Sequence, residues 1–96
     1  MYTTIMQMIF EWDEEKNRIN IAKHGVSFEE ASMAFYDKDR LLADDHKHST
    51  PNETRYFLYG NTGKGIVTVR FVVRKNAIRI IGAGYWREGR RKYEQN

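Results

Sequence analysis

The chain reads as an α+β domain, with helices on one face of a mostly antiparallel sheet and the order β-α-α-β-β-β-β-α. Three observations carry that reading. Two helix starts and a helix stop are packed between Phe10 and Ala31. From Arg55 to Ala83 the pattern changes to strands, most clearly where Val67, Val69, Phe71 and Val73 alternate with Thr68, Arg70 and Arg74. The chain has 96 residues, a length that fits one domain built on one core.

Met8 to Trp12 is short and aromatic and reads as an edge strand. Asp13 then offers a carboxylate to the free N–H groups of a helix over Glu14–His24. Glu14 and Glu15 place negative charge in its first turn, and Lys23 and His24 place positive charge in its last, as the helix dipole favours. Gly25 is the left-handed stop. Ser27 opens a second helix to Tyr36, with Glu30 completing a capping box and Phe28, Ala31, Ala34 and Phe35 on one face.

Leu41 to Asp44 is a strand, and DHKHSTPNE, residues 45–53, carries the only proline and no periodicity, so it is a loop. Arg55–Tyr59 leads through the turn GNTGKG to the long strand Ile66–Arg74. Lys75 and Asn76 form a tight hairpin into Ala77–Ala83. The tail REGRRKYEQN is too short for a helix stable by itself, so it must pack on something or order with a partner. Residues 8–96 form the expected domain, and 1–7 a disordered leader, with Met6 or Met8 as alternative starts.

Composition narrows the function classes. There is no cysteine, which removes disulfides and thiolate metal sites and fits a reducing cytoplasm. Residues 1–7 have neither a basic n-region nor a small-residue cleavage site, and no apolar run approaches the roughly 20 residues of a membrane helix. The net charge of +3 is unevenly spread. Residues 1–48 hold 6 Lys/Arg against 10 Asp/Glu, a balance of −4, and residues 49–96 hold 10 against 3, a balance of +7. A basic half suits a polyanion or an acidic partner, or is simply a solvated surface.

If the helices cover one sheet face, Arg55, Arg70 and Arg79 share the other, and a guanidinium cluster calls for an anion such as phosphate. The alternative is that each pairs with Glu53 or Asp44. Glu53 and Arg55, two apart in an extended segment, point the same way, as a salt bridge or as a base with its orienting cation. His24 is either a general acid or base or a cap on helix-end carbonyls; Lys23 beside it fits the dipole. Tyr85 and Trp86 next to Arg87 suit stacking on an unpaired base beside a phosphate, or a core or partner interface. Asp44, Asp45, His46 and His48 have no metal-site spacing, and neither a metal nor a cofactor is expected.

FEWDEEK at Phe10–Lys16, Asn20, KHGVSFEEA at Lys23–Ala31, Asp37, ETR at Glu53–Arg55, Gly60 and IRIIGA at Ile78–Ala83 together resemble the BrnT family of bacterial toxins from type II toxin–antitoxin modules. REGRRKYE, Arg87–Glu94, fits the basic end of that family. The resemblance implies a RelE-like fold, ribonuclease activity that inhibits translation, and a BrnA-like antitoxin with a ribbon-helix-helix part, through which alone the complex would reach operator DNA. One segment departs: many members continue the last strand as RIISAR, where this chain has RIIGAG, so the serine and arginine positions are Gly82 and Gly84. No role for those two side chains carries over.

The expected chemistry is a metal-independent endoribonuclease in which RNA supplies its own 2′-hydroxyl. Arg55, Arg79 and Arg70 would stabilise the charged phosphorane, Glu53 or His24 would act as base, and Tyr85 or His24 as acid. Lys23, Arg70, Trp86 and Arg87 would bind RNA. The rival expectation is a non-catalytic basic subunit that docks RNA or a DNA-binding partner and leaves RNA whole.

Overall fold

Asp13 and Ser27 each open a helix through a side-chain oxygen. In the computed structural model, which describes residues 8–95, Asp13 Oδ1 accepts from Lys16 N at 3.1 Å and Ser27 Oγ from Glu30 N at 3.0 Å. Helix α1, Glu14–His24, ends at Gly25, whose φ of 70° lets its N–H reach Ile21 O at 2.9 Å. Helix α2 is shorter than the expected span, Phe28–Ser32, and Met33–Tyr36 tightens into a 3₁₀ turn. Ser32 Oγ takes the Glu29 carbonyl at 2.6 Å, and Met33 N bonds to the Glu30 and Ala31 carbonyls instead. The capping box is half made: Glu30 does not reach back to Ser27, because its carboxylate accepts from Tyr85 and Lys64.

Five strands form one mixed sheet in the order β1-β5-β4-β3-β2: Ile9–Glu11 (β1), Leu41–Asp44 (β2), Arg55–Asn61 (β3), Ile66–Arg74 (β4) and Ala77–Gly84 (β5). Edge strand β1 runs parallel to β5, and all other pairs are antiparallel. Lys75 and Asn76 both have positive φ, 48° and 69°, as a two-residue hairpin with right-handed strand twist requires. The expected leader, residues 1–7, lies outside the described residues.

Register sorts the side chains onto two faces. On one, Leu58 lies opposite Val69, Tyr56 opposite Phe71, and Ile80 opposite Phe71. These join Val26, Phe28, Ala31, Ala34, Phe35, Val67 and Ala83 in the core beneath α2 and the 3₁₀ turn. Phe35 lies between Phe10 and Phe71 with edge-to-face centroid distances of 5.1 and 5.0 Å. The other face carries Arg55, Phe57 and Tyr59 from β3, Thr68, Arg70 and Val72 from β4, and Arg79, Gly82 and Gly84 from β5.

This second face is not wholly open, and here the expectation that helices cover one face alone is corrected. The tail forms helix α3, Arg87–Glu94, and docks on β3 and β4 from the side opposite α2. Gly89 permits the contact: a Cβ there would collide with Thr68 Oγ1 and come within 2.9 Å of Tyr59 Cδ1. Tyr93 fastens the far end, its hydroxyl donating to Asp37 Oδ2 at 2.7 Å. Only the Arg55–Arg79 end of the face and the strip beside α1 stay uncovered by α3.

Candidate functional site

The strip beside α1 exists because of Asn20 and a bulge. Strand β1 pairs with β5 only as far as Arg79, so the β5 edge beyond it needs other partners. Asn20, buried on α1, supplies them: Nδ2 donates to Ala83 O at 2.9 Å and to Val26 O at 3.0 Å, and Oδ1 accepts from Ala83 N at 3.2 Å. Helix α1 is thereby locked along the sheet edge. In β5, Arg70 lies opposite Gly82 but Phe71 lies opposite Ile80, leaving Ile81 as the extra residue of a β-bulge. The bulge reverses the alternation, so Ala83 enters the core while Gly82 and Gly84 face α3 and the arginines.

Between α1 and this end of β5 lies a groove of about 240 Å³, lined by Lys16, Ile19, Asn20, Lys23, His24, Arg70, Ile81, Gly82 and Trp86. All of its charged lining is basic. Arg70 lies across Gly82, where an added Cβ would stand 3.7 Å from Arg70 Cδ, in ordinary contact. Its Nε is buried and has no hydrogen-bond partner among the described residues. Such a group gains when an anion arrives to accept from it. Trp86 closes the groove, with its indole folded over Gly84 so closely that a Cβ there would lie 2.8 Å from Trp86 Cδ2. His24 stands edge-on to that indole at 5.1 Å.

The other two arginines lie one row away and are held by carboxylates. Arg55 and Arg79 flank Val72 in a cross-strand row. Arg79 Nη1 donates to Glu11 Oε2 at 3.1 Å, which ties β5 to β1. Glu53 is shared by Arg74, at 2.7 Å, and Arg55, at 3.6 Å. The Arg74 hydrogen bond, aided by the charges of Arg74 and Arg55, holds the Glu53 carboxyl below the usual range.

Tyr85 points elsewhere. Its hydroxyl donates to Glu30 Oε2 at 2.5 Å and lies 2.6 Å from Thr62 Oγ1, on the side of α2. Burial first, then the Glu30 carboxylate, pushes its phenol up. The structure thus brings Lys23, His24, Arg70 and Trp86 together, sets Arg55 and Arg79 in a neighbouring row with Glu53 paired to Arg55 and Arg74 at its end, and keeps Tyr85 apart. Arg87 starts α3 beside Trp86. Sequence reasoning gave no site role to Lys16, which lines the groove, or to Asn20, which builds it. Lys16 was within reach, since with Lys23 it is seven residues apart on one helix.

The loop after β2 has a local purpose. Asp45 is buried and accepts from His48 N, while His48 Nδ1 lies 2.9 Å from its carboxylate and Ser49 Oγ donates to its carbonyl. Among the described residues no helix is long and apolar enough to cross a membrane.

An α+β domain with a groove along one sheet edge whose charged lining is all basic suits an anionic ligand. Residues 12–89 match the family described as BrnT, the ribonuclease toxin of type II toxin–antitoxin systems. The match spans most of the chain, and the chain belongs to that family. No curated protein gives a significant match.

Proposed function

We propose that the chain is a metal-independent endoribonuclease of RelE-like fold that cleaves RNA through the 2′-hydroxyl and so inhibits translation. The observation that carries this reading is Arg70, whose side chain lines a groove with purely basic charged lining and whose buried Nε has no hydrogen-bond partner among the described residues. A phosphodiester supplies the missing acceptor and offsets the gathered charge.

In the reaction a base takes the 2′-hydroxyl proton, the 2′-oxygen attacks phosphorus, and the 5′-oxygen leaves with a proton from an acid. The products are a 2′,3′-cyclic phosphate and a 5′-hydroxyl. His24, exposed beside Arg70, is the group best set to move the proton, because imidazole exchanges protons at neutral pH. Arg70 holds the phosphate, and Arg79 and Arg55 stabilise the developing charge from the adjoining row. Glu53, lowered by Arg74, is a weaker base, and Tyr85 would have to leave Glu30 to act as acid. Lys23, Trp86 and Arg87 bind the strand on either side.

The partner implied by the family is an antitoxin. We take it to be a BrnA-like protein with a ribbon-helix-helix part, which would carry the complex to operator DNA. The deciding experiment incubates the antitoxin-free chain with single-stranded RNA in excess chelator and examines the product ends. Cyclic-phosphate ends, lost in Arg70→Ala and Arg79→Ala while the fold persists, are the expected result. Intact RNA, both alone and on translating ribosomes, leaves only the binding subunit.

A further inference from the structure

Trp86 lines not one cavity but three. Besides the groove with Arg70, it borders a cleft of about 220 Å³ under α3, and a larger groove of about 560 Å³. Besides Trp86, that outer groove is lined by Lys64, Arg87 and Arg90, with Tyr85 and one carboxylate, Glu94. Trp86 is therefore an aromatic side chain shared by two depressions of net positive lining.

The cations of the outer groove are weakly engaged. Lys64 Nζ lies 3.4 Å from Glu30 with the lysine side chain 73% exposed. Arg90 Nε lies 3.2 Å from Glu94 with the arginine 68% exposed. Exposed pairs of this kind are weak and exchange readily for another anion. Arg87 has no carboxylate partner among the described residues.

We propose that single-stranded RNA runs through both grooves, one base stacked on Trp86 and the backbone held by Arg70 and Lys23 on one side and by Lys64, Arg87 and Arg90 on the other. The inference rests on the ribonuclease reading and adds a second subsite that lies outside the cleavage groove. An aromatic ridge flanked by cations is how sequence-tolerant single-strand binders combine stacking with backbone contacts. A duplex offers no free base face to Trp86, so the track selects unpaired RNA.

Binding of 2′-O-methyl oligouridylates, which present no free 2′-hydroxyl and stay whole, tests the track apart from cleavage. Anisotropy titrations compare lengths of about 4 and about 12 nucleotides, near the ends of the range for single-strand sites. The longer oligomer should bind more tightly and with a steeper salt dependence. Lys64→Gln with Arg90→Gln should flatten its slope by about 1.4, two phosphates at about 0.7 each, and leave the short oligomer unchanged. Trp86→Ala should weaken both by about tenfold. Equal affinities and slopes for the two lengths, or an unchanged slope in the double variant, overturn the proposal. So does an acidic peptide that loses binding in the double variant while RNA length has no effect, since the outer groove then belongs to a protein partner. Length-dependent binding with unmodified RNA left uncut upholds the track and removes the ribonuclease reading alone.

Discussion

Asn20 grips Ala83 from both sides of its peptide, accepting from its N–H and donating to its carbonyl at 3.2 and 2.9 Å. It does for the β5 edge what another strand would do. The same amide holds Val26 O, so one side chain fixes α1, the turn into α2 and the last strand. Removing it orphans buried backbone groups, each at about 1–3 kcal/mol. Three such groups lose their partner, so Asn20→Ala should cost about 3 kcal/mol or more and lower Tm by at least roughly 12 °C. Asn20→Asp should be worse, because a carboxylate would face two carbonyls. A Tm within a few degrees of the parent in thermal unfolding would show that the clasp is dispensable.

Gly89 reverses an ordinary rule. In an exposed helix, Gly→Ala stabilises by about 1 kcal/mol. Here the added Cβ meets Thr68 Oγ1 and Tyr59, both buried in the sheet face. Gly89→Ala should destabilise by about 1–3 kcal/mol, as overpacking does, and α3 should become the first segment cut in limited proteolysis. Increased stability would mean that α3 does not dock as described.

Much of this was legible because it is local. Asp13, Gly25 and Ser27 announce α1 and α2 by chemistry within three or four residues, and the alternation of β4 named both sheet faces. The bulge at Ile81 was not legible, since RIIGAG carries no sign of where a strand gains a residue. Yet that bulge decides that Gly82 and Gly84 face the arginines. Simple alternation would have put them on the face of Ile80 and made their departure from the family pattern irrelevant to the site. The space left at Gly84 is occupied by Trp86, while at Gly82 a Cβ would meet Arg70 only in ordinary contact. The face on which α3 docks was not legible for a related reason: its contact is made by an absent side chain, which composition reads only as a weak helix.

The Tyr93–Asp37 bond sets a pH window for the anchoring of α3. Burial pushes the Asp37 carboxyl up, but the bonds it accepts from Tyr93, Asn61 N and Asp39 N outweigh that and leave it lowered. The Asp37 hydrogen bond, with burial and the charge of Asp37, pushes the Tyr93 phenol up to about 12. A depressed carboxyl stabilises the fold above its unfolded value and loses that effect as pH falls through the folded one. A raised phenol stabilises below its unfolded value, about 10, and loses that effect as pH rises through about 12. The Tm gap between the parent and Tyr93→Phe should thus be flat from about pH 5 to 9 and narrow as pH falls below the ordinary carboxylate value, about 4, toward the lowered one of Asp37. A gap independent of pH down to the acid limit of folding would contradict the coupling.

The proton-moving group can be told from its neighbours by pH and rate together. If His24 acts, kcat/KM for a minimal RNA substrate should show a bend with pH that depends on the imidazole. His24→Gln should then remove the bend and lower the rate by about 10²–10⁴-fold, the usual worth of a positioned acid or base. If Glu53 acts, the bend should fall below the ordinary carboxylate range, because Arg74 lowers that group. Glu53→Gln would then carry the large loss, with Arg74→Ala moving the bend upward. Arg74 is mostly exposed, and its loss leaves Arg55 beside Glu53, so the variant should fold and report on the carboxylate alone. A His24→Gln enzyme with an unchanged profile removes the histidine from the mechanism and leaves the groove as a binding site beside a catalytic row at Glu53, Arg55 and Arg79.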